Sequence, residues 1–329
     1  MFVTGGSGLL GTWLIPALVR RGAEVATLVR DGSQRSAMFQ NQWPDTVGRV
    51  QGTVTDYGLI KSVIVDHSVD TIFHLAAQSL VGVAEQDPAG TLDVNVRGTW
   101  TILEASRVTR QCQVLVASSG KAYGESASVP YKEDYPLRGN YPYDVSKSCV
   151  DLISTMYATA YGLRTGIMRC GNLFGGGDLN FSRSIPGVIL ATLRGKPFVI
   201  RSDGKAIRDY LYVEDAVDAY LLLAERLAED DSLRGQAFNF GLEQRLTVLE
   251  IAEAVLRISG FEDLKPIVLG TGPRESQERC LSTEKARRVL RWSPRYGMEE
   301  GLHNSIRWYA EYLTHLDREH SRSATPFCQ

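Results

Sequence analysis

The chain has 329 residues, 43% of them hydrophobic and 22% charged, with a formal net charge of −2, which is ordinary globular usage for one large domain or two modest ones. That balance offers no basic footprint for nucleic acid, and no apolar run approaches the roughly 18 residues of a membrane span. The five cysteines (Cys112, Cys149, Cys170, Cys280, Cys328) are odd in number and lack any CxxC, and the five histidines show no ligand spacing; free thiols in a reducing cytoplasm are expected, and no metal.

Phe2–Thr4 predicts a strand running straight into the Gly-rich stretch Gly5–Gly11, which leaves no room for a targeting segment. A helix is expected over Thr12–Arg21 and a second strand over Glu24–Val29. Thr71–Leu75 and Gln113–Ser118 are compact apolar runs that read as buried strands, with a long helix over Val94–Arg107 between them. Asp144–Tyr161 reads as a helix and Thr165–Arg169 as the next strand. This alternation predicts βαβ units around a parallel sheet. Phe174–Asp178 (FGGGD) is a loop by its glycines.

Beyond that loop the pattern loosens into a smaller, irregular lobe. Helices are expected over Ile185–Arg194, Glu214–Leu227, Thr283–Leu290 and Thr247–Ser259, the last opened by a threonine cap. Arg208–Val213 and Ala237–Gly241 read as strands. No internal repeat appears, and the tail His320–Gln329 is expected to fray.

Thr4-Gly5-Gly6-Ser7-Gly8-Leu9-Leu10-Gly11 lies between a strand and a helix. Glycines there permit a tight turn and let helix N-terminal N–H groups approach a pyrophosphate, so a dinucleotide is the expected ligand. At the end of the second strand an acid favours NAD, whereas an arginine accommodates the 2′-phosphate of NADP. Arg30-Asp31 supplies one of each and leaves that choice open.

Tyr143-Asp144-Val145-Ser146-Lys147 places a tyrosine and a lysine one turn apart on a helix face. A phenol with a pKa near ~10 is a poor base at neutral pH, and a neighbouring ammonium is expected to pull it down. A serine at the end of the preceding strand, in Ala117-Ser118-Ser119, is placed to share the substrate hydroxyl proton. Together with the Gly-rich turn, this set predicts oxidation of a hydroxyl-bearing carbon by a nicotinamide dinucleotide.

These motifs, with His74-Leu75-Ala76-Ala77, Asn95, Arg169-x-x-Asn172, Arg208-Asp209-Tyr210 and Leu281–Ala286 ahead of Trp292-x-Pro294, occur in the order seen in extended short-chain dehydrogenases/reductases. The chain resembles the nucleotide-sugar epimerases and dehydratases over nearly its whole length. Arg169–Arg183 and Arg201–Asp218 look most like CDP-glucose 4,6-dehydratases, with GDP-mannose 4,6-dehydratases next. The resemblance implies an α/β fold, a Rossmann-type doubly wound parallel sheet with a smaller mixed α/β C-terminal substrate lobe. Residues 1–173 plus about 214–243 would hold the dinucleotide, and 174–213 with 244–329 the sugar nucleotide.

The resemblance also implies roles. Gly5, Gly8, Leu9, Leu10 and Gly11 would cradle the pyrophosphate of a tightly held NAD or NADP that is regenerated each cycle. Arg30, Asp31, Thr53, Val54, Leu75, Ala76, Ala77, Gln78 and Cys170 would line the rest, with Asn95 as an orienting residue. Ser119, Tyr143 and Lys147 would be the catalytic set, the last two also touching the cofactor. Gln78, Ser119, Gly120, Lys121, Asn172, Asn180, Arg183, Arg208 and Arg274 would contact the nucleotide-diphosphate sugar, the arginines as charge-assisted phosphate partners. Surface salt bridging is the competing reading for Arg183 and Arg274. Members of the group commonly pair through a helical bundle, so a homodimer through Val94–Arg107 and Asp144–Tyr161 is expected.

Two positions depart from the pattern. The 4,6-dehydratases carry an acid directly after the catalytic Ser/Thr, which protonates the departing C6 hydroxyl; here that position is Gly120, while Lys121 is kept. UDP-galactose 4-epimerases, which eliminate nothing, resemble this state. Gly120 is further expected to leave volume beside C5–C6 of the sugar. In Gly52-Thr53-Val54 a threonine stands where an Asp usually faces adenine. The expected reaction is a redox-neutral nucleotide-sugar 4-epimerisation through a 4-keto sugar. A 4,6-dehydratase using Glu125 or Asp178 as the acid is the alternative, and a non-catalytic dinucleotide sensor the reading from a different class.

Overall fold

The apolar runs of the sequence assemble into one twisted parallel sheet, seen in a computed structural model that describes residues 1–30, 43–110, 112–125, 129–271 and 278–323, with side chains to 317. Its strands are β1 (Phe2–Thr4), β2 (Ala26–Val29), β3 (Gly48–Gln51), β4 (Thr71–His74), β5 (Gln113–Ala117), β6 (Thr165–Cys170) and β7 (Gln236–Phe240). They lie in the order β7-β6-β5-β4-β1-β2-β3, every neighbouring pair parallel. The chain reverses its direction of winding between β1 and β4, and the crevice at the carboxyl ends of these two strands is where doubly wound sheets take ligands.

Helices cover both faces, which is why the strands read as continuous apolar runs rather than alternating ones. Successive side chains enter opposite layers: Phe2, Ile72, Val114 and Val116 one way, Val3, Phe73 and Leu115 the other. The main helices are α1 (Leu9–Arg20), α2 (Tyr57–Asp66), α3 (Gly98–Thr109), α4 (Pro142–Tyr161), α5 (Ser184–Leu193), α6 (Val213–Glu229), α7 (Val248–Ile258) and α8 (Met298–Ser323). Ile60 and Ile64 of α2, Ile102 of α3 and Val150 of α4 close the first layer. Leu14 and Leu18 of α1 and Val217 and Leu221 of α6 close the second, where each buried leucine contributes about 1.5–3 kcal/mol.

Several boundaries differ from the sequence expectation for identifiable reasons. α1 starts at Leu9 rather than Thr12, because the helix is entered directly from extended Gly8 and the Thr12 hydroxyl bonds the Leu9 carbonyl from inside the first turn. The helix expected from Val94 begins with a wide π turn, Asp93–Arg97, before α3. Phe174 closes a short strand, Asn172–Phe174, instead of opening the loop. Arg208–Val213 is not one strand. Ile207–Arg208 pairs with Leu246–Thr247 and Glu278–Arg279, whereas Tyr210–Tyr212 pairs with Asn172–Phe174. The change of partner falls on Asp209, whose buried carboxylate accepts the N–H groups of Leu242 and Leu281. The threonine cap of α7 forms as a full capping box with Glu250. β3 and α2 went unread, and the tail expected to fray from His320 is helical to Ser323, with 324–329 outside the described residues.

One buried group ties the sheet to its stability at low pH. His74 at the end of β4 lies between Thr4 Oγ1 on Nδ1 (2.9 Å) and Thr99 Oγ1 on Nε2 (3.0 Å). Thr99 gives its own proton to the Asn95 carbonyl (2.6 Å), so Nε2 carries the hydrogen and Nδ1 accepts from Thr4. Burial, helped by the charge of Lys147, holds the imidazole down at about 3. Below pH 6.5 the unfolded chain binds a proton here that the folded chain refuses. The contribution of His74 is therefore intact above pH 6.5 and is lost as pH falls from 6.5 toward 3, by up to about 1.4 kcal/mol per pH unit. Urea titrations at pH 7, 6, 5 and 4 should show this slope in the native chain and a shallower one in His74→Gln; parallel slopes would remove His74 as its source.

Candidate active site

The crevice between β1 and β4 is floored by backbone. A Cβ on Gly5, whose φ is +75°, would stand 2.7 Å from the Ala76 nitrogen, and one on Gly11 would stand 2.5 Å from the Gly5 carbonyl oxygen. Side chains are thus excluded by contact as well as by conformation. Gly8 caps α1 with no side-chain hydrogen bond, and the first turn holds no acid, so its N–H groups face the crevice with the positive end of the helix dipole behind them. Leu10 turns into the core and Leu9 packs against it, which leaves their backbone to meet a ligand.

Leu75, Ala76, Ala77 and Gln78 line the opposite wall, all half-buried. The fully buried Asn95 fixes them: its Oδ1 accepts the Gln78 N–H (2.7 Å), and its Nδ2 donates to the Gln78 carbonyl (3.0 Å) and to Ser146 Oγ on α4 (2.9 Å). The Gln78 amide folds back on Leu80 in two hydrogen bonds and is not extended toward the crevice. Arg30 and Thr53 are exposed at the ends of β2 and β3, while Val54 is buried against Gly98. Asp31 lies outside the described residues.

Pro142 at the first position of α4 starts the helix that carries the reactive groups. Tyr143 and Lys147 are both buried on it, 8% and 4% exposed. Lys147 Nζ donates to the Ala117 carbonyl at the end of β5 (2.7 Å). Lys147 and Lys121 each hold Nζ 5.9 Å from the Tyr143 ring centroid. Ser119 Oγ accepts the Lys121 N–H (3.1 Å) and lies close enough to the phenol to act on its ionisation. The expectation that Lys147 lowers the tyrosine pKa needs correction: burial dominates and pushes the phenol up to about 12, and the groups opposing it are the Arg183 charge and the Ser119 hydroxyl. Burial likewise presses Lys147 down to about 8 and raises Cys170 to about 12.

A pocket open to solvent, about 320 Å³ with that open space included, lies beside these groups, with Ser119, Gly120, Lys121, Cys170, Asn172 and Arg208 in its walls. Arg183 reaches the same region from the end of the 174–183 loop: its guanidinium pairs with buried Asp178 (2.9 Å) and donates to Ser79 Oγ (3.1 Å). Asn180 caps Ser182 through Oδ1, and its buried Nδ2 has no partner among the described residues. Arg274 lies outside the described residues. Four further residues line the cavity that sequence reasoning did not select: Gly171, Asp209, Arg279 and Leu281. Register with Arg208 brings Arg279 there, and no local spacing signals it.

Leu281 takes part of the volume expected beside Gly120. A Cβ there would stand 3.0–3.4 Å from the Leu281 side chain, which would have to give by a few tenths of an ångström, while Gly120 still faces the cavity. Of the two alternative acids, Glu125 is exposed, and Asp178 pairs with Arg183 and accepts the Asn180 N–H.

Comparison with known proteins agrees with this architecture. The family model described as NAD dependent epimerase/dehydratase matches residues 1–241. The chain is 28% identical over 328 residues to a CDP-glucose 4,6-dehydratase of Salmonella typhimurium, covering 95% of this chain and 91% of that one. It is 29% identical over 332 residues to a UDP-glucose 4-epimerase of Halalkalibacterium halodurans, covering 95% and 96%. A solved UDP-glucose 4-epimerase of Thermotoga maritima with UDP-glucose superposes with a TM-score of 0.85 at 25% identity, covering 95% and 99%. The Gly-rich turn, Ser119, Tyr143 and Lys147 all fall inside the matched residues, and the chain belongs to the NAD-dependent epimerase/dehydratase family.

Proposed function

We propose that the chain is a nucleotide-sugar 4-epimerase, with Ser119, Tyr143 and Lys147 acting on a sugar C4 hydroxyl. The observation that carries this over 4,6-dehydration is the wall at Gly120, where no acid stands and a Cβ would press on Leu281 at 3.0–3.4 Å. Expelling hydroxide from C6 without a proton donor is slow, whereas inversion at C4 asks for none.

The crevice fits a dinucleotide because its glycines admit only backbone and its helix N-terminus offers free donors. Gly5, Gly8 and Gly11 would hold the pyrophosphate, Leu75–Ala77 the adjoining wall, and Lys147 and Cys170 the nicotinamide end. Arg30 favours a 2′-phosphate and Asp31 a free ribose. The bound nicotinamide supplies one hydride acceptor that returns what it takes. Tyr143 receives the O4 proton and gives it back, with Ser119 sharing the same oxygen. Arg183 lends positive charge to the phenol as its proton leaves, and Arg208, Asn172 and Arg274 serve the diphosphate. Residues 1–173 with about 214–243 form the dinucleotide part and the remainder the sugar-nucleotide part.

Pairing of two chains fits the exposed apolar side chains of α3 and α4. Trp100 (40% exposed), Leu152 (60%) and Met156 (43%) lie on neighbouring helices joined by the Tyr157–Glu104 hydrogen bond. Large apolar side chains grouped on adjacent helices mark an interface. Light scattering should give a dimer for the native chain and a monomer for Leu152→Asp/Met156→Glu; a native monomer rejects the pairing.

A panel of UDP-, CDP-, GDP- and dTDP-linked hexoses should yield products of unchanged mass with an inverted C4 proton signal, and Tyr143→Phe should lose at least 100-fold in kcat. A product lighter by about 18 mass units would establish dehydration instead. Gly120→Asp should lower stability by about 1–3 kcal/mol through overpacking against Leu281, and Leu281→Ala in the same chain should restore part of it. Thermal melts of the three chains check this; an unaltered melt for Gly120→Asp would mean that Leu281 does not fill the site.

A further inference from the structure

Arg279 joins the strand beside the pocket to the helix that carries the reactive groups. Its strand, Glu278–Arg279, runs parallel to Ile207–Arg208, and its carbonyl accepts the Asp209 N–H (3.0 Å). The residues that follow are held as firmly. The Leu281 N–H donates to the Asp209 carboxylate (3.2 Å), and the Tyr131 backbone bonds the Cys280 carbonyl and the Ser282 N–H (both 2.8 Å). From this fixed backbone the Arg279 guanidinium crosses to the first turn of α4, where Nη2 donates to Asp144 Oδ2 at 3.0 Å. The pair is 14% and 2% exposed, and Asp144 directly follows Tyr143. The Arg279 Nε–H is buried and meets no acceptor among the described residues. A buried ion pair with one donor unsatisfied is a poor stabiliser of a fold, which points to a use in the site.

Charges reach Asp144 from the turn after Ser119 and from the Glu278–Arg279 strand. Burial holds its carboxyl above the usual carboxylate range; Arg279 and, less strongly, Lys121 pull it down, and Glu125 pushes it up. The Tyr143 phenol in turn has Asp144 and Cys170 set against its ionisation, with Arg183 and the Ser119 hydroxyl in favour. Lys121 and Lys147 each stand 5.9 Å from its ring centroid. A bare carboxylate on the next residue would oppose loss of the phenol proton. We infer that Arg279 is a positioning residue for the proton step at Tyr143: through Asp144 it fastens the first turn of α4 to the strand beside Arg208 and balances the carboxylate next to the phenol. Arg279 itself takes neither the proton nor the hydride. The inference rests on Tyr143 as the base of the proposed reaction. It holds for epimerisation and dehydration alike, since both begin by oxidising C4.

Two readouts test it, one of them independent of turnover. With 3,5-difluorotyrosine at position 143, a more acidic phenol, fluorine NMR follows ionisation of that one ring in the protein as purified. Arg279→Gln leaves Asp144 charged and unpaired and should move the midpoint up by about half a pH unit or more. Asp144→Asn removes the opposing charge and should move it down. Arg279→Gln/Asp144→Asn removes both and should return the midpoint to within about 0.2 of the native value, with Arg279→Lys close to native. Lys121 and Glu125 are present in every variant, so their charges cancel in the comparison. In chains with the natural tyrosine, reduced-nicotinamide absorbance on mixing with UDP-glucose or CDP-glucose gives the second readout. Arg279→Gln should lower kcat about three- to tenfold at pH 7 with KM within about twofold, and the double variant should recover most of the loss. A midpoint unmoved by Arg279→Gln, or moved and left there in the double variant, overturns the inference. So does a raised KM at unchanged kcat, which would make Arg279 a substrate contact. Should Arg279→Gln fail to fold, Asp144→Asn decides, and an unmoved midpoint there overturns the inference. Midpoints that move as stated without turnover of either sugar nucleotide defeat the reaction reading alone; turnover with unmoved midpoints defeats the inference alone.

Discussion

The site depends on one buried ion pair. Asp151 on α4 takes Arg169 of β6 through Nε and Nη2, both at 2.8 Å, with the two side chains 2% and 6% exposed. The same carboxylate accepts the Ser118 hydroxyl (2.9 Å), the residue before Ser119. Arg169 Nη1 continues to the Tyr123 hydroxyl (2.7 Å) and the Glu133 carbonyl (3.0 Å), and Tyr123 donates to Asn239 of β7 (2.8 Å). Every element that carries a reactive group therefore meets in one satisfied network. Asp151 lies one turn beyond Lys147 and two beyond Tyr143, so a fixed Asp151 fixes both. Removing either partner of such a pair costs about 3–5 kcal/mol, because the survivor remains buried and charged.

That rigidity matters because the reactive groups sit where their ordinary ionisation is suppressed. Burial presses Tyr143 toward its neutral phenol, at about 12, and Lys147 toward its neutral amine, at about 8. The two shifts run in opposite directions and widen the gap between two groups whose ordinary values nearly coincide, and both have one cause, the exclusion of water that disfavours either charged form. The Lys147 hydrogen bond to the Ala117 carbonyl holds the lysine in this dry position, and Arg183 acts on the phenol from just before α5. The charge nearest in sequence is thus not the one that governs the tyrosine. A cation held by buried Asp178 does so from 40 residues away.

What could be read from the sequence follows from how local each signal is. The Gly-rich turn, the buried strands β1, β4, β5 and β6, and the Tyr143–Lys147 spacing each rest on a few adjacent residues, and each is where it was expected. β3 was not legible, because Gly48-Arg49-Val50-Gln51 has a single apolar residue and sits at the sheet edge. The break at Asp209 was hidden because its cause is a carboxylate bonded to Leu242 and Leu281, far along the chain. Arg279 was hidden for the same reason: its partner Asp144 is 135 residues away, and its neighbour Arg208 is supplied by strand register. Tyr-x-x-x-Lys puts the two side chains in one buried site, as spacing alone can do, yet misleads about their electrostatics, since spacing says nothing of burial.

Gly120 shows how such long-range packing changes the meaning of a single residue. Taken alone, a glycine where relatives of one kind carry an acid is a deletion, and the empty space invites a larger substrate. In the fold the space belongs to Leu281, which reaches across from the strand that also brings Arg279. An apolar side chain thus crowds position 120, and a guanidinium is set two residues away from it along the same segment. Which side chain position 120 can carry therefore depends on how far Leu281 can shift. The chemistry of the site is set by the pairing of two distant segments, and the identity of position 120 follows from that pairing.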